Sequence, residues 1–270
     1  MTNSNKHDSS ELPIAIFDSG IGGLSVLEEA LKILPSENYI YFADTDHVPY
    51  GEKSTEEVKE FVLQAAKFLN TQKIKMLAIA CNTATSSAIA ALRHIYDFPV
   101  IGMEPAIKPA VSKNKNKRVL VLATALTLKE QKFRELVDKV DNEKIVDMLP
   151  LPELVMFAEG FVFDDDHILP VLKAKLSSFD LENYSTVVLG CTHFPFYKES
   201  LRKIFPPGTE IIDGNKGTVA HIKNVLEQKG LLNHGKHKGE VEFFHSGKKI
   251  TDGKLISKYR SLAGIQNAGN

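Results

Sequence analysis

Leu77-Ala78-Ile79-Ala80-Cys81-Asn82-Thr83-Ala84-Thr85 decides the fold. An apolar run ends in a cysteine and polar groups, and Ser86-Ser87-Ala88-Ile89-Ala90-Ala91-Leu92 follows. That pattern predicts a buried strand, a tight polar tip and the start of a helix reaching about Tyr96. In a parallel sheet the carboxyl ends of the strands open onto the ligand crevice. Cys81 would stand in that opening with Asn82 and Thr83 beside it. A cysteine after an apolar run is, by itself, an ordinary small core residue. Its partners elsewhere in the chain are what give it chemistry.

One such partner lies more than a hundred residues on. Thr186-Val187-Val188-Leu189-Gly190-Cys191-Thr192-His193 repeats the plan of apolar strand, small residue, cysteine and threonine. Two cysteine-tipped strands predict two similar halves, each alternating strand and helix. The fold class is therefore α/β, with two open, mainly parallel halves and the site in the crevice between them. We expect a first domain of residues 12–98 plus 212–270, a second of 99–211, and a disordered leader over 1–11.

Other strands and helices follow from the same signals. Pro13 to Phe17 reads as a strand tipped by Asp18-Ser19-Gly20-Ile21-Gly22-Gly23, before a helix whose Leu24, Leu27, Leu31 and Leu34 share a face. A glycine-rich turn between strand and helix can receive an anion. Here the spacing is neither Gly-x-Gly-x-x-Gly nor a Walker loop, and Asp18 would repel a phosphate. Tyr39 to Ala43 is a strand tipped by Asp44, followed by the turn His47-Val48-Pro49-Tyr50-Gly51 and a helix over about 55–69. Val100 to Met103 reads as a strand. Arg118 to Ala123 is another, tipped by Thr124-Ala125-Leu126-Thr127 and followed by one helix to about Val140. Asp164-Asp165-Asp166 reads as a helix cap rather than a cation site. The tail, with a strand at Ile211-Ile212, a helix through Leu226 and a strand within 235–244, should return to the first half.

Composition narrows the function. The 270 residues are 43% hydrophobic and 25% charged, with a formal net charge of -1. That suits a globular protein and offers no basic stripe for nucleic acid. The dense basic run, Lys113 to Arg118, reads as a solvated loop. No apolar run approaches the ~18 residues of a membrane span, and the amino terminus lacks the apolar core of a signal peptide, so a cytoplasmic protein is expected. Cys81 and Cys191 are the only cysteines. A structural disulfide is not expected in a reducing compartment. No His-x-x-x-His or Cys-x-x-Cys spacing supports a metal, and no lysine at the strand tips could anchor pyridoxal. No cofactor is expected.

Two thiols facing each other across a crevice have a specific use. Inverting a stereocentre by proton transfer needs one base on each face of the carbon. A free cysteine titrates near 8.5, so a neighbouring group can set either state. Asp18 and His193 are the natural assistants. Ser19, Asn82, Thr83, Thr124 and Thr192 offer neutral donors for a carboxylate.

Four stretches in register, Asp18 to Val26, Pro49-Tyr50-Gly51, Ala80 to Ala84 and Gly190 to His193, resemble the glutamate racemases, within the cofactor-independent two-cysteine racemases. The likeness runs through about residues 13–226. It implies interconversion of L- and D-glutamate, supplying D-glutamate for bacterial peptidoglycan. It implies that Cys81 takes the α-proton of D-glutamate and Cys191 that of L-glutamate. Asp18 would assist Cys81, with His193 and Glu159 on the Cys191 side. Ser19, Pro49, Tyr50, Gly51, Asn82, Thr83, Thr124, Thr127 and Thr192 would line the substrate site, and the protein would form a homodimer. Asp213-Gly214-Asn215 stands where Asp-Ser is common in the family, and no role is carried onto it. The rival readings are an aspartate racemase or another cofactor-independent amino-acid racemase, and, outside enzymes, an amino-acid-binding module.

Overall fold

The computed structural model describes residues 9–113 and 117–265. Residues 1–8 of the expected leader and 114–116 of the basic run lie outside the described residues. Ten strands and eleven α-helices are assigned among the described residues. The strands are β1 (Ile14–Asp18), β2 (Tyr39–Ala43), β3 (Met76–Ile79), β4 (Val100–Gly102), β5 (Arg118–Ala123), β6 (Val146–Pro150), β7 (Tyr184–Leu189), β8 (Glu210–Asp213), β9 (Val241–His245) and β10 (Lys248–Lys249). The helices are α1 (Leu24–Ile33), α2 (Thr55–Thr71), α3 (Asn82–Ile95), α4 (Ile107–Ser112), α5 (Ala125–Lys129), α6 (Gln131–Val140), α7 (Pro152–Glu159), α8 (Asp165–Leu176), α9 (Lys198–Arg202), α10 (Asn215–Lys229) and α11 (Gly253–Leu262).

The strands form two sheets, of order β10-β9-β2-β1-β3-β4 and β6-β5-β7-β8. Every pairing is parallel except β9 with β10. The run β2-β1-β3-β4 has the same order as β6-β5-β7-β8, so one unit is used twice. Cys81 follows the third strand of the first unit, and Cys191 follows the third strand of the second. The two central strands β1 and β3 are adjacent, with Phe17 opposite Ile79, which brings Asp18 beside the strand of Cys81. Their side chains are buried throughout, as parallel strands covered on both faces require.

Local chemistry sets the helix starts. Ser54 and Glu57 form a reciprocal capping box on α2. Asp164 accepts from His167 N at 3.2 Å, so the acidic run caps α8 as expected. α10 ends on Gly230 at φ 65°, a left-handed position that glycine occupies without strain.

Three expectations need correction. The cut between residues 98 and 99 falls one strand early: Val100, Ile101 and Gly102 pair with Leu77, Ala78 and Ile79 in the first sheet. The cut at 211 and 212 likewise divides β8, which pairs with β7 along its length. A three-residue edge strand and a strand at the returning chain carry too little pattern of their own to show which sheet they join. The single helix expected to reach Val140 is two, because Glu130 adopts an extended conformation (φ -60°, ψ 135°). Its carboxylate accepts from Thr55 Oγ1 at 2.6 Å, tying the start of α2 to the second half. The leader is ordered from Ser9, where Ser9–Glu11 makes a 3-10 turn. The Lys75 ammonium, buried in an ion pair with Glu37, also donates to the carbonyls of Ser10 and Leu231.

The second sheet carries a surface network with a defined pH signature. Arg118 at the start of β5 grips Asp147 of β6 with Nε at 2.5 Å and one terminal nitrogen at 2.7 Å, and Tyr184 of β7 donates to the same carboxylate at 2.7 Å. The Arg118 hydrogen bond holds Asp147 below its ordinary value of 3.8. A depressed carboxylate contributes stability above its unfolded pKa, and that stability is lost as pH falls through the folded value. Asp147→Asn should therefore lower stability by up to ~1 kcal/mol at pH 7, the scale of a half-exposed pair. In urea titrations the gap to the parent should narrow at pH 3; a gap that widens there would show that the pair does not set it.

Candidate active site

A small cavity lies between the sheets, with a volume of about 20 Å³. The first half supplies Ser19, Tyr50, Gly51, Cys81, Asn82 and Thr83; the second supplies Thr124, Val155, Gly190, Cys191, Thr192 and His193. Both cysteines are free and buried. The sequence thus brings its two thiols, strand tip by strand tip, to one space.

Cys81 is the cap of α3. Its sulfur accepts from Ala84 N at 3.4 Å and lies 3.9 Å from Ser19 Oγ. Backbone N–H groups at a helix start favour a thiolate. Burial outweighs them: it pushes the Cys81 thiol well up, and the charge of Asp18 pushes it further. Cys81 therefore rests as the neutral thiol.

Cys191 has a different partner. Its sulfur is 3.5 Å from His193 Nδ1, while His193 Nε2 is 2.6 Å from Glu159 Oε1. Burial alone would push the imidazole down, but hydrogen bonds and charge from Cys191 and Glu159 hold it well above its ordinary value. His193 accordingly links the thiol to the carboxylate, in surroundings that favour its protonated form.

Asp18 is fully buried, and its hydrogen bonds do not go to Cys81. Oδ2 accepts from Gly20 N at 3.0 Å, and Oδ1 accepts from Thr192 Oγ1 at 3.0 Å. Burial raises its pKa against the lowering pull of His193. Asp18 reaches Cys81 through its field rather than by contact.

The glycine-rich turn is explained by what lies over it. Ile21 N donates to Glu159 Oε1 at 2.8 Å. A Cβ on Gly20 would fall 1.9 Å from Glu159 Oε1, and one on Gly22 would fall 2.5 Å from both His193 Nδ1 and Thr192 Oγ1. The turn is bare so that the opposite half can close on it. Two of its amides already serve carboxylates, which is incompatible with a phosphate cradle here.

Not every expected residue faces the cavity. Asp18 and Glu159 stand behind Thr192 and His193. Thr127 also stands behind, bonded to Thr83 Oγ1 at 3.0 Å and Thr124 Oγ1 at 2.9 Å. Pro49, joined to Val48 by a cis peptide, is not among the lining residues but precedes Tyr50, which is. Sequence reading missed Val155 and Gly190 as lining residues, and Asp44 as the acceptor for the hydroxyl of Tyr50. Asp44 also takes His47 Nδ1 at 2.9 Å and Ser246 Oγ at 3.0 Å. Its position at a strand tip was the signal that could have found it.

Both side-chain polar atoms of Asn82 are buried without a partner. An amide left so costs about 1–3 kcal/mol, unless a ligand satisfies it. Among the described residues no group of three or more His, Cys, Asp or Glu side chains is placed to hold a metal. The arrangement offers proton transfer from two sides and neutral donors for a carboxylate.

Known proteins resemble this chain in sequence and fold. A family model described as Asp/Glu/Hydantoin racemase matches residues 23–222. A glutamate racemase of Halothermothrix orenii is 55% identical over 92% of this chain and 98% of its own length. Glutamate racemase 2 of Bacillus subtilis is 55% identical over 93% of this chain and 95% of its own. A crystal structure of the Francisella tularensis glutamate racemase in complex with D-glutamate superposes with a TM-score of 0.81, at 31% identity over 96% of each chain. With two thiols on one cavity and this likeness along most of its length, the chain belongs to the Asp/Glu/hydantoin racemase family.

Proposed function

We propose that the protein interconverts L- and D-glutamate through its two thiols, without a cofactor. The observation that carries the reading is the placement of free Cys81 and Cys191 at equivalent strand tips of the repeated unit, on one cavity. Names and ligands of the relatives support glutamate as substrate. Cys191, as thiolate, removes the α-proton of L-glutamate, and the Cys81 thiol delivers its own proton to the opposite face. From D-glutamate the roles reverse. That direction starts once solvent has taken the Cys81 proton and returned one to Cys191, and the substrate ammonium favours the Cys81 thiolate by offsetting the Asp18 charge.

His193 and Glu159 serve Cys191, and Asp18 serves Cys81. Asn82, with Thr83, Thr124 and Thr192, receives the substrate carboxylates, while Ser19, Tyr50 and Gly51 complete the wall. Pro49 and Thr127 shape it from behind. Each repeated unit forms a domain flanking the site. Supply of D-glutamate to peptidoglycan, a cytoplasmic location and a homodimer belong to the same reading, on the strength of the family resemblance. No helix among the described residues is long and apolar enough to cross a membrane.

Heavy water tests the mechanism. L-glutamate should give D-glutamate deuterated at the α-carbon while the remaining L-glutamate stays almost unlabelled early on. Cys81 exchanges with solvent before substrate binds, so it delivers solvent isotope. Proton carry-over from L- to D-glutamate, read by mass spectrometry, would overturn the two-base assignment. Cys81→Ser and Cys191→Ser should each abolish most racemisation, because an unactivated hydroxyl is a far poorer base.

The assistants should act in opposite directions. His193→Asn should slow the chemical step more from L-glutamate, and Asp18→Asn more from D-glutamate, within the ~10²–10⁴-fold range of acid–base assistance. Single-turnover rates or primary isotope effects expose the difference, since the overall equilibrium is fixed. Equal effects in both directions would contradict the pairing.

A further inference from the structure

Beneath the cavity, the hydroxyl of Ser25 joins the two halves. Its Oγ lies 2.9 Å from the carbonyl oxygen of Thr192 and 2.9 Å from that of Gly22. Asn215 Nδ2 donates to the same Oγ at 3.1 Å. Ser25 and Asn215 are 5% and 6% exposed. Ser25 stands in the first turn of α1. Asn215 is the first residue of α10 and follows β8, the neighbour of the strand that leads to Cys191.

A hydroxyl has one proton and two lone pairs. With Asn215 donating to a lone pair, the Ser25 proton is left to the two carbonyls. Thr192 is then held at both ends: Asp18 receives its hydroxyl, and its carbonyl shares the Ser25 proton with that of Gly22. That carbonyl belongs to the peptide between Thr192 and His193. Fixing its plane fixes the directions in which Thr192 and His193 leave it, and the Thr192 hydroxyl held by Asp18 fixes that residue against Cys191 before it. Asn215 Oδ1 is buried with no partner, which an apolar side chain would avoid. Stability therefore does not account for the amide, whereas occupying a Ser25 lone pair, which leaves the proton to the carbonyls, does.

We propose that Ser25 and Asn215 are positioning residues for the Cys191-Thr192-His193 turn, setting the contact between the Cys191 thiol and His193. Its consequence for turnover rests on the glutamate reading above; its geometric content does not.

The test uses the full chain and the variants Ser25→Ala, Ser25→Thr and Asn215→Asp. Alkylation by iodoacetamide at pH 8 is followed separately at each cysteine by peptide mass spectrometry. Because thiol reactivity follows its immediate surroundings, Ser25→Ala should change the Cys191 rate by about threefold or more and leave Cys81 nearly unchanged. Ser25→Thr, which keeps the hydroxyl, should restore the parent rate. Asn215→Asp should reproduce the effect of Ser25→Ala, since a carboxylate draws the Ser25 proton away from Thr192. With glutamate, Ser25→Ala should lower kcat about tenfold with little change in KM, as expected for a misplaced reacting group.

Alkylation unchanged at both thiols, or changed equally, in a variant with a cooperative melt overturns the proposal. If Ser25→Ala fails to fold, Asn215→Asp gives the same reading. A selective Cys191 change in a protein that leaves glutamate untouched would uphold the brace and overturn the proposed function instead.

Discussion

A single carboxylate oxygen organises the centre of this molecule. Oε1 of Glu159 accepts from Ile21 N at 2.8 Å and lies 2.6 Å from His193 Nε2. The first contact holds the loop after β1, and the second orients the imidazole beside Cys191. Because both meet on one atom, the two sheets cannot shift relative to each other without disturbing the thiol's partner. The bare glycines of the turn, the closeness of Thr192 to Asp18 and the burial of His193 all follow from this approach. The contact operates away from bulk water, where a charge-assisted hydrogen bond is short and strong.

The two thiols have diverged within a repeated architecture. Each ends the third strand of a unit with the same strand order. Cys81 faces the Ala84 amide and the field of a carboxylate, whereas Cys191 faces an imidazole. The same topological position thus carries two electrostatic environments. Groups whose surroundings differ in this way can take unlike roles at one moment and exchange them at the next.

Much of this was legible in the chain because it is local. The strands Tyr39–Ala43 and Arg118–Ala123 have the bounds their apolar runs suggest, and the echo between Cys81 and Cys191 anticipates the doubled unit. What escaped depends on distant partners. Glu130 breaks a helix where Thr55 meets it, Asp44 is defined by Tyr50 and Ser246, and Val155 reaches the cavity from a helix with no local sign of doing so. Edge strands such as Val100–Gly102 are assigned by their neighbours, not by their own three residues. Asp18 was legible as a strand-tip carboxylate, but not its partner: nothing short of the fold pairs it with Thr192.

The returning tail imposes an order on biosynthesis. β2 is paired on one side by β1 and on the other by β9, with Tyr39 opposite Val241 and Phe42 opposite Phe244. The apolar Tyr-Ile-Tyr-Phe-Ala strand leaves the ribosome long before its second partner does. Until then it presents an open edge of unpaired backbone groups, the template on which nascent chains join one another. That edge stays without its second partner through the synthesis of the entire second sheet. The finished sheet thus closes one of its oldest strands with one of its youngest.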